Sequence, residues 1–320
     1  MAKYSIHVIL VFAFLGIINS GVIDKTIKKN FQDSFKKNDD ARLEEKAGLF
    51  EGDIVMDDNM KRALIGGKIS SRDAIINPVY RWPNAKVYYT FHSSISLYAV
   101  YKIFLAMKHI ESQTCVRFEH YYEQPSTNYV VFFKGKGCYS RIGRNPKGRS
   151  QKISIGRGCT SIGTIVHEIM HSLGFFHEQS RQDRDKFIKI IWSNIMKDHS
   201  QNFRKYSRLL GTNLSKPYDY LSVMHYSKYA FSRNHKPTII PRKKNAVIGQ
   251  RFGLSYYDAY QINKLYDCHP LCIDKIHPFF CEYYKNKGYC HYTHLGRDVD
   301  SLCRRTCTRC GEYCPLALIS

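Results

Sequence analysis

The stretch from Gly163 to Ser180, GTIVHEIMHSLGFFHEQS, places three histidines and two glutamates between His167 and Glu178 inside an otherwise apolar run. Ile162, Ile165, Val166, Ile169, Met170 and Leu173 recur at helical spacing and predict a helix from about Ser161 to Leu173 with a wide apolar face. His167 and His171 are four apart, so they share another face about one turn from each other. Two imidazoles at that separation can grip one metal ion. Gly174 permits the backbone turn that ends the helix and brings Phe175, Phe176 and His177 round to the same point. Three nitrogen ligands with an open fourth position describe a catalytic zinc site, since a structural site is closed by a fourth residue. Glu168 makes the pattern enzymatic: beside the ion it can take a proton from activated water and deliver it to a leaving amine. A scatter of surface histidines has no need of ligand, base and turn residue in the order His-Glu-x-x-His-x-x-Gly-x-x-His.

The 320 residues can bury a proper core without cross-links, yet the chain carries eleven cysteines. Cys115, Cys138, Cys159 and Cys268 lie far apart. Cys272, Cys281, Cys290, Cys303, Cys307, Cys310 and Cys314 crowd the last fifty residues and read as a small disulfide scaffold. An oxidising destination agrees with the N-terminus, where Lys3 precedes the apolar run Ile6 to Ile18 and small residues Ser20 and Gly21 follow. That is the pattern of a signal peptide over 1–20, and the run is shorter than the roughly 20 residues a bilayer span needs. No membrane span is expected, and the chain is read as secreted. Asn213-Leu214-Ser215 is a glycosylation sequon.

Residues 21–72 are polar, charge-mixed and free of cysteine, and look like a removable extension. From Trp82 the texture changes. Val87 to Phe91 and Tyr129 to Phe133 are β-rich, Gln151 to Ile155 alternates like a half-exposed strand, and Leu97 to Cys115 has helical spacing at Ile103, Met107 and Ile110. Residues 73–268 hold 30 Lys and Arg against 12 Asp and Glu, a net of +18 out of the chain's +22. Lys134 to Arg157 carries eight basic residues and no acid. Such a field attracts acidic partners, sulfated polysaccharide among them. Nucleic acid is not expected as a partner, because the stretch has no aromatic-studded binding motif.

HEIMHSLGFFHEQSR resembles the extended zinc signature of the metzincins, and Glu178 after the third histidine resembles the astacin branch in particular. RWPNAKVYYTF, GCYSRIGR, QKISIGRGC, PYDYLSVMHYSKYAFSRN and IGQRFGLSYYDAYQINKLYDC extend the resemblance through residues 73–268. It implies an α+β, two-lobed catalytic domain, with a twisted mixed sheet and an active-site helix above and a more irregular half below, split by a substrate cleft. It further implies one Zn2+ on His167, His171 and His177, with Glu168 as general base. Tyr226 matches the tyrosine that ligates the ion at rest and swings to stabilise the oxyanion. Met224 would form an apolar floor beneath the ion.

Phe50-Glu51-Gly52-Asp53 resembles the family's propeptide switch, in which an aspartate, here Asp53, occupies the metal and keeps the precursor silent. The resemblance puts the mature N-terminus at Asp73, after a trypsin-like cut at Arg72, with the freed amino group buried against Glu178. Lys61-Arg62 is a competing basic site. Cys115 would pair with Cys268 and Cys138 with Cys159, and the strand Gln151 to Ile155 would form the cleft's upper edge, where an extended polypeptide substrate adds as an antiparallel strand.

The tail over 272–310 resembles the ShK-type cysteine module, whose pairing would be Cys272–Cys310, Cys281–Cys303 and Cys290–Cys307, one of fifteen possibilities that spacing leaves open. Cys314 is left over. HYTHLGRDVDSL between Cys290 and Cys303 lacks the Lys-Tyr pair with which some relatives of that module block channels. These readings expect a secreted zinc endopeptidase of extracellular proteins, made as a zymogen inhibited by Asp53. The alternative is an adhesive or channel-directed protein acting mainly through the tail.

Overall fold

The computed structural model describes residues 47–56, 78–121, 128–148, 150–205, 216–268 and 278–286, together with 290, 303, 306 and 307. The run over 1–20, the segment 57–77 and residues 211–215 lie outside them. Among the described residues no helix is long and apolar enough to cross a membrane.

A mixed sheet of six strands organises the larger layer. Its strands are β1 (Ile54–Val55), β2 (Lys86–Phe91), β3 (Arg117–His120), β4 (Tyr129–Phe133), β5 (Cys138–Arg141) and β6 (Ser150–Ile155), in the order β1-β5-β6-β4-β2-β3. All neighbours are parallel except β5 and β6, which are antiparallel with Tyr139 opposite Ser154. Alternation along each strand sends Val87, Tyr89, Val130, Phe132, Ile153 and Ile155 to one buried face. Against that face pack α1 (Leu97–Gln113), capped by Ser96, and α2 (Ile162–Leu173), capped by Ser161. The apolar stripes of the two helices, Ile103, Met107 and Ile110 from one and Ile165, Val166, Ile169 and Met170 from the other, complete a single core. α1 stops at Gln113, two residues short of the expected Cys115, because Thr114 is already extended. Cys115 is then tied to Cys268 across a Cα separation of 5.6 Å.

One expectation fails here. The strand at 150–155 is not the sheet's edge, since β4 and β5 hydrogen-bond to its two sides. The chain folds β5 back onto it as an antiparallel strand, and the Cys138–Cys159 disulfide holds that hairpin closed. The edge therefore belongs to β5, and β1 occupies it in parallel register, Ile54 beside Ser140 and Val55 beside Arg141.

A second hydrophobic cluster, with Ile188, Ile190, Phe203, Phe231 and Ile239 at its centre, surrounds the antiparallel pair β7 (Ile188–Ile190) and β8 (Ile239–Pro241). Met224 packs in the first core and Tyr226 in the second, so the turn at 222–226 passes between the two. The helix α3 (Tyr256–Leu265) starts with a capping box between Ser255 and Asp258. In the tail, α4 (Pro278–Asn286) carries Cys281, which is bonded to Cys303, while Cys290 is bonded to Cys307. The four sulfurs and Tyr284 form a third, small cluster. Cys272, Cys310 and Cys314 lie outside the described residues.

Candidate metal centre

The helix α2 fixes His167 and His171 one turn apart, with ring centroids 4.7 Å from each other and planes nearly perpendicular. Gly174 then takes a left-handed conformation, φ 113°, which a side chain would resist. Its N–H and that of Phe175 return to His171 O and Met170 O, closing the helix. The chain turns so that the His177 ring stands 4.8 Å from His171 and 5.2 Å from His167. The bond from Glu178 N to Met224 O, 3.1 Å, pins this bend to the turn at 222–226.

Asp53 enters the centre of the three rings. Its Oδ2 lies 3.1 Å from His167 Nε2 and 3.3 Å from His177 Nε2, and its Oδ1 lies 3.5 Å from His171 Nε2. These four ligand atoms are all within 4.8 Å of one another, and all four residues are buried. The opposite ring nitrogens fix the protons. His167 Nδ1 donates to Val223 O at 2.8 Å, His171 Nδ1 to Phe175 O at 2.7 Å, and His177 Nδ1 to Glu51 Oε2 at 2.6 Å. Carbonyl and carboxylate oxygens only accept, so each neutral ring carries its proton on Nδ1 and turns an Nε2 lone pair toward the shared point. His171 Nε2 and Asp53 Oδ1 make no hydrogen bond although both are buried. Converging lone pairs, an unsatisfied carboxylate oxygen and a set of three nitrogens and one oxygen fit a zinc ion.

Burial and the two carboxylates act on the rings in opposite directions. His177 is penalised by burial, but Asp53 on one side and Glu51 on the other push it up to about 10. His171, where burial dominates, falls to about 4. Asp53 is desolvated, yet the surrounding imidazoles hold it well below the usual carboxylate range. The two carboxylates thus favour a positive charge beside them, which without an ion is the His177 imidazolium and with an ion bound would be the zinc, whereas burial keeps the His171 ring neutral.

Around this centre stand the other expected residues. Glu168 is fully buried on α2 between the two helical histidines. Tyr226 lies with its ring 4.7 Å from that of His177, and its hydroxyl donates to Glu51 O at 2.5 Å. Met224 is buried, with its N–H on Ser222 Oγ. Glu178 Oε1 accepts from Arg181 Nη1 at 2.8 Å and from Asp219 N at 2.7 Å, and burial pushes its carboxyl up to about 8 against both. Arg72, Asp73 and Asn213 lie outside the described residues.

Two features were missed. Asp258, beyond its capping role, accepts from Ser222 Oγ at 2.6 Å and from Val223 N at 2.8 Å, so α3 holds the turn beneath the centre. Glu51 also reaches Ser180 Oγ, at 2.6 Å. Of the eight basic residues in Lys134 to Arg157, Arg144 is engaged internally, with its guanidinium on Val79 O and Arg81 O.

A family model described as Astacin, a peptidase family, matches residues 74–267. Zinc metalloproteinase nas-4 of Caenorhabditis elegans is 42% identical over 219 residues, covering 68% of this chain and 69% of its own length. Human Meprin A subunit beta is 41% identical over 239 residues, 74% of this chain but only 32% of its own length. A solved structure of High choriolytic enzyme 1, a hatching enzyme zinc-protease from Oryzias latipes, aligns with a TM-score of 0.54 at 39% identity, over 59% of this chain and 94% of that one.

Proposed function

The chain belongs to the astacin family of zinc metalloendopeptidases, and on that premise we propose that it is a secreted endopeptidase of extracellular proteins, made as an inactive precursor. The observation that carries the reading is the convergence of three Nε2 lone pairs, each set by an acceptor behind its own ring. When bound, zinc supplies a Lewis acid that makes water nucleophilic near neutral pH and polarises the peptide carbonyl. His167, His171 and His177 would hold it. Glu168, one residue from the first ligand, takes the proton from the attacking water and passes it to the leaving nitrogen. The Tyr226 hydroxyl already donates to a peptide carbonyl, that of Glu51. The same donor serves a substrate carbonyl as negative charge grows on its oxygen. The β5 edge offers its backbone groups to an extended substrate added antiparallel, which leaves side-chain sequence loosely specified.

The precursor reading rests on what occupies these places. Asp53 stands among the three histidines, and Ile54 and Val55 run parallel to β5. A chain held in that direction presents its peptide bonds with reversed polarity relative to an antiparallel substrate, so it blocks the edge without being placed for cleavage. Release follows a cut by a trypsin-like protease at Arg72, and the new ammonium of Asp73 pairs with Glu178. Glu178 is buried and already holds one cation, Arg181, at 2.8 Å, so the ammonium would join an established charged contact.

The test is hydrolysis of casein or gelatin by trypsin-treated protein, with and without chelator, and by Glu168→Ala. Chelation should abolish cleavage, and the variant should lose at least about 10²-fold in rate, as befits loss of a general base. Equal proteolysis in all three samples would refute the mechanism.

A further inference from the structure

The three histidines differ in what orients them. His167 takes its Nδ1 partner from Val223 and His171 from Phe175, both backbone carbonyls of the catalytic domain itself. His177 takes its partner from Glu51, 126 residues earlier in the sequence and two before Asp53. We propose that Glu51 is an outer-sphere positioning residue of the zinc site, so that the precursor segment helps to build the metal centre as well as to block it. This rests on the reading that His167, His171 and His177 hold zinc.

Four contacts show how firmly the carboxylate is placed. The Glu51 N–H donates to Asn202 Oδ1 at 3.1 Å, and its carbonyl accepts from Tyr226 Oη at 2.5 Å. Its side chain accepts from His177 Nδ1 and from Ser180 Oγ, both at 2.6 Å. The residue is 1% exposed and adopts φ 48°, a left-handed conformation unusual for a side chain with a Cβ. Backbone strain of this kind persists where surrounding contacts over-determine it. Here those contacts come from three sides, the bend at 177–180, Asn202 and Tyr226, and they aim one carboxylate oxygen at the back of the third ring.

The chemistry gives that contact a purpose. His167 and His171 are held by a rigid helix, whereas His177 follows the Gly174 turn and has no helix to set its ring. A carboxylate on Nδ1–H fixes the tautomer, orients the ring and makes Nε2 a stronger donor. The Ser180 hydroxyl on the second oxygen holds the carboxylate against rotation. Once the segment leaves, His177 loses this partner together with Asp53. On this inference zinc is held more tightly while the segment is attached than after it leaves.

The experiment uses the full-length precursor, stripped of metal, reloaded with one equivalent of zinc and mixed with excess chromogenic chelator. Zinc release is timed for wild type, Glu51→Ala, Glu51→Gln and Ser180→Ala. Glu51→Ala should release zinc about 10- to 100-fold faster, the usual effect of losing an outer-sphere partner. Glu51→Gln should fall between, since its amide oxygen still accepts from Nδ1–H, and Ser180→Ala should shift in the same direction by less. In cobalt-loaded precursor, Glu51→Ala should alter the visible d–d bands. Wild-type release rate and cobalt spectrum in Glu51→Ala would overturn the proposal. Equal acceleration in the Ala and Gln variants with an unchanged spectrum would also overturn it, because that pattern means general loosening of the segment. A wild-type precursor that takes up no zinc would overturn the peptidase reading itself, a separate and recognisable failure.

Discussion

Replacing Gly163 by alanine tests whether the position of α2, and with it the whole centre, is set by close packing. Gly163 lies in the first turn of α2, four residues before His167. On propensity alone the change would stabilise the helix by about 1 kcal/mol. A Cβ there, however, would lie 1.9 Å from Arg251 O and 2.0 Å from Arg251 C, where real Cβ atoms essentially never come within 3.0 Å. Helix and backbone must therefore part by about 1 Å in an interior packed too densely to absorb it. The 250–251 backbone is poorly able to yield. Arg251 Nη1 donates to His225 O and Gln250 O, and Gln250 Nε2 donates to Leu221 O and Gly253 O. Overpacking of this kind costs about 3 kcal/mol at the upper end of its ordinary range, so the net destabilisation should be about 2 kcal/mol. Because the displaced helix carries His167, Glu168 and His171, kcat/KM of the activated protein should also fall about 10²-fold, the usual penalty of a 1 Å misplacement. Urea unfolding of the precursor and hydrolysis of a quenched fluorescent peptide read the two effects. A variant as stable as wild type and as active would refute the claim that the Arg251 backbone fixes the helix.

Three further outcomes are expected. Asp53→Ala empties the position between the histidines, so uncleaved precursor should hydrolyse a fluorescent peptide that wild-type precursor leaves intact; silence in a variant that becomes active after trypsin would remove Asp53 from the inhibition. Asp258 is pushed up to about 7 from an ordinary 3.8, chiefly by burial and next by Asp219, against bonds from Ser222, Ser255 and Val223. The native state thus keeps a proton that the unfolded chain has lost, and this group's contribution to precursor stability should fall as pH rises from about 4 to about 7; Asp258→Asn, which takes up no proton in either state, should flatten that slope in urea unfolding. Truncation after Cys268 should leave peptide hydrolysis by the activated protein unchanged, and loss of all activity would show that the cysteine-rich tail contributes to the catalytic site.

What the sequence disclosed and what it hid divide along the range of the interactions involved. The helix at 162–173 was legible because six apolar residues and two histidines repeat with its own period, and Gly174 marked its end by a conformation few other residues accept. Strands at 86–91 and 129–133 showed for a similar reason, through β-branched and aromatic runs. The edge strand did not. Cys138-Tyr139-Ser140-Arg141 alternates in burial, but its buried side is a cysteine and a serine, which no hydrophobic pattern announces. Its place at the edge depends on the β5–β6 pairing, not on its own composition. Asp258 and Glu51 were hidden more deeply, because each acts on a partner 35 or more positions away through a hydrogen bond that leaves no periodic trace. A glutamate two residues before an aspartate looks like an ordinary acidic turn until the fold puts one carboxylate in front of the histidines and the other behind the third. The same glutamate therefore has no functional meaning in isolation: its contact with His177 exists only because the fold brings together two residues 126 positions apart in the chain.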